Sequence, residues 1–297
     1  MYTTASVDLG KSRCRVALTG DGARIERQDA GAPGLAAAGG TTAALDSILP
    51  LLADAHNLSS IGVGAAGAWL APTAAAELAA HLAAATGAMV AVASDVVTAH
   101  AGALAGDAGV LLIAGTGAAA LGIDADGARL IDGWGPELGD FGSGSWLGRE
   151  ALRAVLRADD GLGPITALTS AIATPVGAAS DVQAWLAQDG PLPRRLATLA
   201  PLVLDAAEAG DDVAGRIVAE GIRLLTATAT TASTVTSDVV VHGGLTEHPW
   251  FRAALTSSLQ TAGRRIVSAR GDALDGALLL ARRTDLPHER FVHRAER

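Results

Sequence analysis

One cysteine, Cys14, is the whole thiol inventory of this 297-residue chain. That excludes an intramolecular disulfide, and within one chain it excludes a multi-cysteine iron–sulfur cluster or structural zinc site. The seven histidines form no His-Glu-x-x-His or other dense ligand pattern. Basic charge is also scarce: 22 Lys and Arg stand against 31 Asp and Glu, a net charge of −9. They are scattered, apart from pairs such as Arg194-Arg195 and Arg264-Arg265. The absence of a basic stripe to neutralise phosphates argues against a nucleic-acid or anionic-membrane surface. A long apolar run is missing too. The longest, residues 110–123, is interrupted by Gly115, Thr116, Gly117 and Gly122, short of the roughly 20 apolar residues of a membrane helix. Asp8 falls among the first ten residues, without a charged-then-apolar leader pattern. The expectation is a soluble, cytoplasmic protein whose length accommodates two lobes with separate cores.

Glycine, in contrast, is abundant, with 36 residues. It concentrates at residues 133–145, Gly-Trp-Gly-Pro-Glu-Leu-Gly-Asp-Phe-Gly-Ser-Gly-Ser. Each glycine raises the entropy cost of folding, so such a run makes sense where backbone must approach a ligand closely. Trp134 offers a flat apolar face there and Asp140 an anionic acceptor, which points to a phosphate-and-sugar site.

Residues 5–9 and 13–18 read as strands, Asp21-Gly22 as a hairpin turn and residues 24–28 as a third strand. Residues 30–40 read as loop, 41–55 as a helix, 61–65 as a strand, 72–85 as a helix stopped by Gly87, and 88–93 as a buried strand. A helix is expected over 96–104. The opening pattern then recurs about 105 residues later: strand 110–114, turn 115–117, strand 118–123, Asp126-Gly127 and a strand from 129 to 132. An internal duplication follows from the pattern. Helices are expected over 145–157, 181–188, 196–209, from Asp211-Asp212 to 233, over 249–262 and over 272–283. Short strands are expected at 238–242 and 266–268. Alternating strands and helices in each half predict an α/β protein.

Several short motifs bear on chemistry. Gly10-Lys11-Ser12 resembles the tail of a Walker A loop, but Ala5 stands where that loop needs glycine. A hairpin whose backbone N–H groups contact phosphate fits better, with Asp8 organising Mg²⁺ through water. The plain alternative is an ordinary hairpin with a capping Asp. Gly62-Val63-Gly64-Ala65-Ala66-Gly67 matches the dinucleotide fingerprint literally, but it follows only a short strand in mid-chain, and a loop near the ligand is expected instead. Ser94-Asp95 lies between a strand and a helix, so Asp95 reads either as a helix N-cap or as a general base for a sugar hydroxyl. Gly115-Thr116-Gly117 reads as a second phosphate loop or a structural turn. Gly243-Gly244 after a strand permits a flat nucleobase to lie on backbone. Gly276 and Ala277 would permit close helix packing across two lobes, a hinge.

These segments, in this order and over nearly the whole chain, resemble the actin, hexokinase and heat-shock-protein ATPase superfamily. Within it they are most similar to the BadF/BadG/BcrA/BcrD-type branch that includes N-acetylglucosamine kinases. Residues 8–15 resemble the first phosphate motif, with Leu9 and Lys11 in place of glycines. Gly115-Thr116-Gly117 resembles the second, with Ala118 where Ser is frequent. Gly133-Trp134-Gly135 with Gly139-Asp140 and Gly142-Ser143 resembles the amino-sugar kinase signature. Activator ATPases of the branch hold a cysteine-ligated cluster, which one cysteine cannot supply.

The resemblance implies two duplicated ribonuclease-H-like, actin-like α/β lobes with an interlobe cleft. Residues 1–104 would form the N-terminal lobe, completed by a C-terminal helix over 277–297, and residues 105–276 the C-terminal lobe. ATP would be bound by Gly10, Lys11, Ser12, Arg13, Gly115, Thr116, Gly243 and Gly244, with Mg²⁺ at Asp8 through water. Asp95 would be the catalytic base. Asp95, Gly117, Gly133, Trp134 and Asp140 would bind the sugar. The implied activity is phosphorylation of the 6-hydroxyl of N-acetylglucosamine. Glucosamine or another hexose, or a non-catalytic sugar sensor, are the alternatives. The expected partner is a small amino sugar, with a homodimer common in this branch and neither nucleic acid nor membrane involved.

Overall fold

The computed structural model describes residues 3–55 and 57–296. It begins with β1 (Thr4–Leu9), β2 (Arg13–Gly20) and β3 (Ala23–Ala30), then α1 (Gly40–Leu52), β4 (Ser60–Ala65), α2 (Pro72–Thr86), β5 (Met89–Ser94) and α3 (Asp95–Ala103). The turn between β2 and β3 is the expected one, with Asp21 at φ 47° and Gly22 at φ 76°. Pro72 opens α2 and Gly87, at φ 72°, ends it.

The pattern starts again with β6 (Gly109–Ala114), β7 (Ala118–Asp124) and β8 (Gly127–Asp132). Six helices come next: α4 (Gly144–Asp159), α5 (Leu168–Val176), α6 (Val182–Leu186), α7 (Leu192–Ala197), α8 (Ala200–Glu208) and α9 (Asp212–Ala232). Then come β9 (Asp238–His242), α10 (Pro249–Thr261), β10 (Arg265–Ile266), α11 (Ala273–Arg282) and β11 (His293–Ala295). Asp211 caps α9 by accepting from the N–H groups of Val213 and Ala214. The single helix expected over 196–209 is two, because Pro201 starts α8 anew. The helix expected over 277–297 ends at Arg282, ahead of Pro287, which disfavours helix at the residue before it. Beyond Arg282 the chain returns to the sheet as β11, antiparallel to β5.

The chain divides into two compact units. The first comprises residues 1–108, 123–127 and 268–297, and the second residues 109–122 and 128–267. Residues 105–108, 123–127 and 268–276, expected in the second lobe, therefore belong to the first unit. The first unit's sheet runs β11-β5-β4-β1-β2-β3 and the second's β10-β9-β6-β7-β8. Apart from β11 the two orders are the same. In the first, β1, β4 and β5 are parallel while β2 and β3 are antiparallel additions. In the second, β6, β9 and β10 are parallel. The three-residue link from β6 to β7 is far too short for a parallel crossover. The α/β class and the duplication are thus both present.

The first unit's core gathers Val7, Val16, Ile48, Ile61, Val63, Leu78, Leu82 and Val92. The second's gathers Leu112, Leu147, Leu199, Leu225, Phe251 and Leu255. Val63 and its neighbours lie within β4, all of it buried. The Gly62–Gly67 match is therefore largely a core strand, not a loop near a ligand. Its glycines admit helices: a Cβ on Gly62 would lie 1.9 Å from the Ala277 carbonyl oxygen, and one on Gly64 would lie 2.0 Å from Thr98 Oγ1. Gly276 likewise packs on α3, where its Cβ would sit 1.8 Å from the Thr98 carbonyl oxygen. That contact lies inside the first unit, so the hinge expected at Gly276 and Ala277 is a packing contact. Among the described residues no helix is long and apolar enough to cross a membrane.

His100, near the end of α3, and His288 are both fully buried, with Nδ1 of the first 2.9 Å from Nε2 of the second. Burial, then the neighbouring imidazole, push His288 down from 6.5 to about 3. A depressed histidine contributes stability above its unfolded value and loses it as pH falls. The midpoint of thermal unfolding should therefore fall progressively below pH 6.5, and His288→Gln should flatten that acid slope; equal slopes would contradict the assignment. In urea unfolding, Gly276→Ala should cost about 2 kcal/mol or more through overpacking. Gly215→Ala in α9, where a Cβ meets nothing within 4 Å, should gain roughly 0.5–1 kcal/mol.

Candidate functional site

Parallel strands place their ends along one edge of a sheet, which is where α/β proteins bind ligands. In the first unit β1, β4 and β5 end in register: Leu9 pairs Ala65, and Ala65 pairs Ser94. Beyond β1 the N–H of Gly10 donates to the Arg13 carbonyl at 2.9 Å, closing the expected turn. Lys11, Ser12 and Arg13 are exposed on it. Gly31 lies beneath, where a Cβ would come within 2.6 Å of the Ser12 nitrogen and 2.4 Å of the Arg13 nitrogen.

Asp8 sits opposite Arg15 across β1 and β2. Its Oδ2 accepts from Arg15 Nε at 3.1 Å and Nη2 at 2.9 Å. Arg15 Nη1 donates to Asp272 Oδ2 at 2.9 Å. Burial opposes the guanidinium's charge, but these two carboxylates outweigh it and raise its pKa. Asp272 in turn caps α11, accepting from the N–H groups of Leu274 and Asp275. Asp8 is therefore an ion-paired residue, with Arg15 an organising partner. In the sequence Arg15 stands inside the motif with no role to distinguish it.

Asp95 is the first residue of α3, and Ser94 stands at the N-cap. The Ser94 side chain makes no cap hydrogen bond, and Asp95 stands one position inside the cap with its carboxylate on a first-turn N–H. Its Oδ1 accepts from Ser94 Oγ at 3.0 Å and from the Val96 N–H at 2.9 Å. Burial pushes the carboxyl's pKa up; the Ser94 and Val96 bonds offset part of this, and the charge of Asp8 adds to the rise.

The second unit repeats the edge. β6 ends against β9, with Ile113 opposite His242. Gly115-Thr116-Gly117 follows the first strand and Gly243-Gly244 the second. The two turns touch: at φ 120°, Gly243 lies where a Cβ would be 2.5 Å from the Ala114 carbonyl oxygen and 2.8 Å from the Gly115 nitrogen. Nothing lies within 4 Å of a Cβ on Gly244, and Thr116 is exposed. The start of α4 braces the first turn: the N–H groups of Gly144 and Ser145 donate to the carbonyls of Gly115 and Thr116 at 2.8 and 3.1 Å.

Asp140 reaches this turn as well. Its Oδ1 accepts from the Ala118 N–H at 3.3 Å, and a Cβ on Gly117 would lie 2.9 Å from its Oδ2. Burial raises the Asp140 pKa; the Ala118 bond works against it, and the negative charges of Asp132 and Glu137 add to the rise. Gly133 and Trp134 lie on the loop before Asp140, with Trp134 71% exposed. Sequence reasoning misses Asp132, which reads only as a strand end. Its carboxylate accepts from the N–H groups of Gly133, Asp140 and Phe141, each at 2.8 Å. An acid after a strand and before glycine is the available signal, but its partners lie up to nine residues away.

The structure therefore brings Asp8, the 10–13 turn and Asp95 to one edge of the first unit. It brings Gly115, Thr116, Gly117, Asp140, Gly243 and Gly244 together in the second. Among the described residues no group of three or more His, Cys, Asp or Glu could hold a metal ion.

Known proteins resemble this chain in sequence and in fold. Along the sequence, 36% of 122 residues are identical to an N-acetyl-D-glucosamine kinase of Dictyostelium discoideum, a match spanning 39% of this chain and 38% of that protein. A candidate N-acetylglucosamine kinase from Chromobacterium violaceum shares the fold with a TM-score of 0.76 and 28% identity, over 95% of this chain and 99% of that one. One from Porphyromonas gingivalis gives 0.72 at 17% identity, over 94% and 98% of the two chains, a likeness of fold. A candidate N-acetylmannosamine kinase from Listeria monocytogenes gives 0.59 at 18%, over the same shares. The profile of the BadF/BadG/BcrA/BcrD ATPase family matches residues 7–281, and the chain belongs to that family.

Proposed function

We propose that this protein is an ATP-dependent kinase that phosphorylates the 6-hydroxyl of N-acetylglucosamine. The observation that carries this reading is Asp95: a carboxylate just past a strand end, fixed by the Ser94 hydroxyl and the Val96 N–H, and with a raised pKa. A general base needs a fixed position and an affinity for protons above that of an ordinary carboxylate. On this reading Oδ2 takes the hydroxyl proton as O6 bonds to the γ-phosphorus and the bond to ADP breaks. The names of the relatives at 36% and 28% identity support an amino sugar as acceptor.

Gly10, Lys11, Ser12, Arg13, Gly115 and Thr116 would hold phosphates through turn N–H groups, the Lys11 and Arg13 charges and the Thr116 hydroxyl. Gly243 and Gly244 would take the adenosine against bare backbone, which suits the open space at Gly244. Gly117, Gly133, Trp134 and Asp140 would bind the sugar. The residues fit Mg²⁺ only as an ion held chiefly by phosphates and water, since no protein cage exists among those described. Asp8, fixed by Arg15, would then be a partner through water. When bound, the metal neutralises charge on the transferring phosphoryl group.

The test is ADP release with Mg·ATP and each of several amino sugars and hexoses, for wild type and Asp95→Asn. Wild type should turn over one amino sugar and release little ADP without it. Asp95→Asn should lower kcat by roughly 10²–10⁴-fold, with a much smaller loss of sugar binding. The pKa of Asp95 is raised above 3.8, so kcat/KM should fall on acidification with a midpoint above that value. A raised acid contributes stability at low pH and loses it as pH rises through its folded value. Asp95→Asn should therefore be no less stable than wild type at neutral pH. Unchanged turnover in a folded Asp95→Asn protein would overturn the assignment, and sugar binding without turnover in wild type would favour a sensor.

A further inference from the structure

Asp132, the last residue of β8, adopts φ 63°, in the left-handed region, and so does Asp140 at φ 55°. Left-handed non-glycine residues are uncommon, Asp being one of the more tolerant types, and they persist where their surroundings over-determine them. Here the surroundings are hydrogen bonds. Asp132 Oδ1 accepts from the N–H groups of Gly133 and Asp140, and Oδ2 from that of Phe141, all at 2.8 Å. One carboxylate thus joins both ends of the loop over residues 133–140.

The sequence is shaped around that carboxylate. A Cβ on Gly139 would lie 2.4 Å from Asp132 Oδ1. Within the loop, the N–H groups of Leu138 and Gly139 donate to the Gly135 carbonyl. Arg149 of α4 donates to the Pro136 carbonyl. The loop is tied at its mouth by Asp132 and further out by Arg149. It displays Trp134, with Asp140 turned toward Gly117 and Ala118.

We infer that Asp132 is a positioning residue for sugar binding: its carboxylate holds loop 133–140 in the one conformation that presents Trp134 and Asp140 together. The inference rests on the sugar-kinase reading above. A glycine-rich loop without this clamp samples many conformations. Apparent affinity then falls by the fraction of time the competent one is populated. Asp132 is assigned no contact with the reacting atoms, so kcat at saturating sugar survives its loss. That signature is the reverse of the one for Asp95.

The experiment compares wild type, Asp132→Asn and Asp132→Gly. Glycine tolerates the backbone angle but accepts no hydrogen bond. Asparagine tolerates it too and keeps one acceptor oxygen. Two readouts are needed: amide hydrogen exchange at Gly133, Asp140 and Phe141, and separate KM values for sugar and ATP. Asp132→Gly should speed exchange at those amides and raise the sugar KM by roughly tenfold or more, with kcat and the ATP KM within about twofold. Asp132→Asn should fall between. Faster exchange with an unchanged sugar KM would reduce Asp132 to a structural residue and overturn the proposal. Unchanged exchange would overturn the clamp itself. Failure of the underlying reading is distinguishable, because wild type would then turn over no sugar before any variant is compared; that result would remove the role as well.

Discussion

Backbone lying directly on backbone is the constraint on which this structure depends. In the first unit, Gly62 receives the Ala277 carbonyl and Gly276 receives that of Thr98, so α3 and α11 sit closer to β4 and to each other than side chains would allow. In the second, Gly148 receives the Leu196 carbonyl, Gly122 that of Ala232 and Gly243 that of Ala114, each nearer than any Cβ tolerates. Dispersion and burial over such flat contacts replace the interdigitation of large side chains. The consequence for function is positional. With α3 pressed onto β4, Asp95 is fixed where β5 ends. With Gly243 pressed onto the end of β6, two glycine turns become one surface.

Carboxylates supply the second level of order. Asp211, Asp272 and Asp132 accept backbone N–H groups at helix starts or loop ends, and Asp8 is held by Arg15. Each is explained by what it holds in place. Asp95 differs in its partners, which are its own chain neighbours Ser94 and Val96, and in a pKa that burial raises. A chain of net charge −9 has many acids, and the partners each one keeps separate their roles more sharply than acidity alone.

Much of this is legible in the sequence where the signal is local. Asp-Gly dipeptides announce turns through their left-handed angles, and Asp21-Gly22 behaves so. Asp211-Asp212 announces a cap, and α9 starts there. The repeated strand–turn–strand pattern reveals the duplication. Features that depend on partners far along the chain stay hidden. Gly62-Val63-Gly64 looks like a ligand loop because nothing nearby shows α11 arriving against it. β11 exists only by pairing with β5. α5 carries no side-chain cap and holds Pro175 inside, so it has no start signal. Asp132 is hidden for the same reason, since two of its three amide partners lie eight and nine residues on.

The chemical identity of the product tests the kinase assignment most directly. N-acetylglucosamine incubated with Mg·ATP and the protein would be followed by phosphorus NMR with coupling to sugar protons. A 6-kinase produces a new phosphomonoester coupled to the two methylene protons at C6, growing in step with ADP, and that is the predicted result. Inorganic phosphate released at the same rate with or without sugar, and no phosphomonoester, would contradict it.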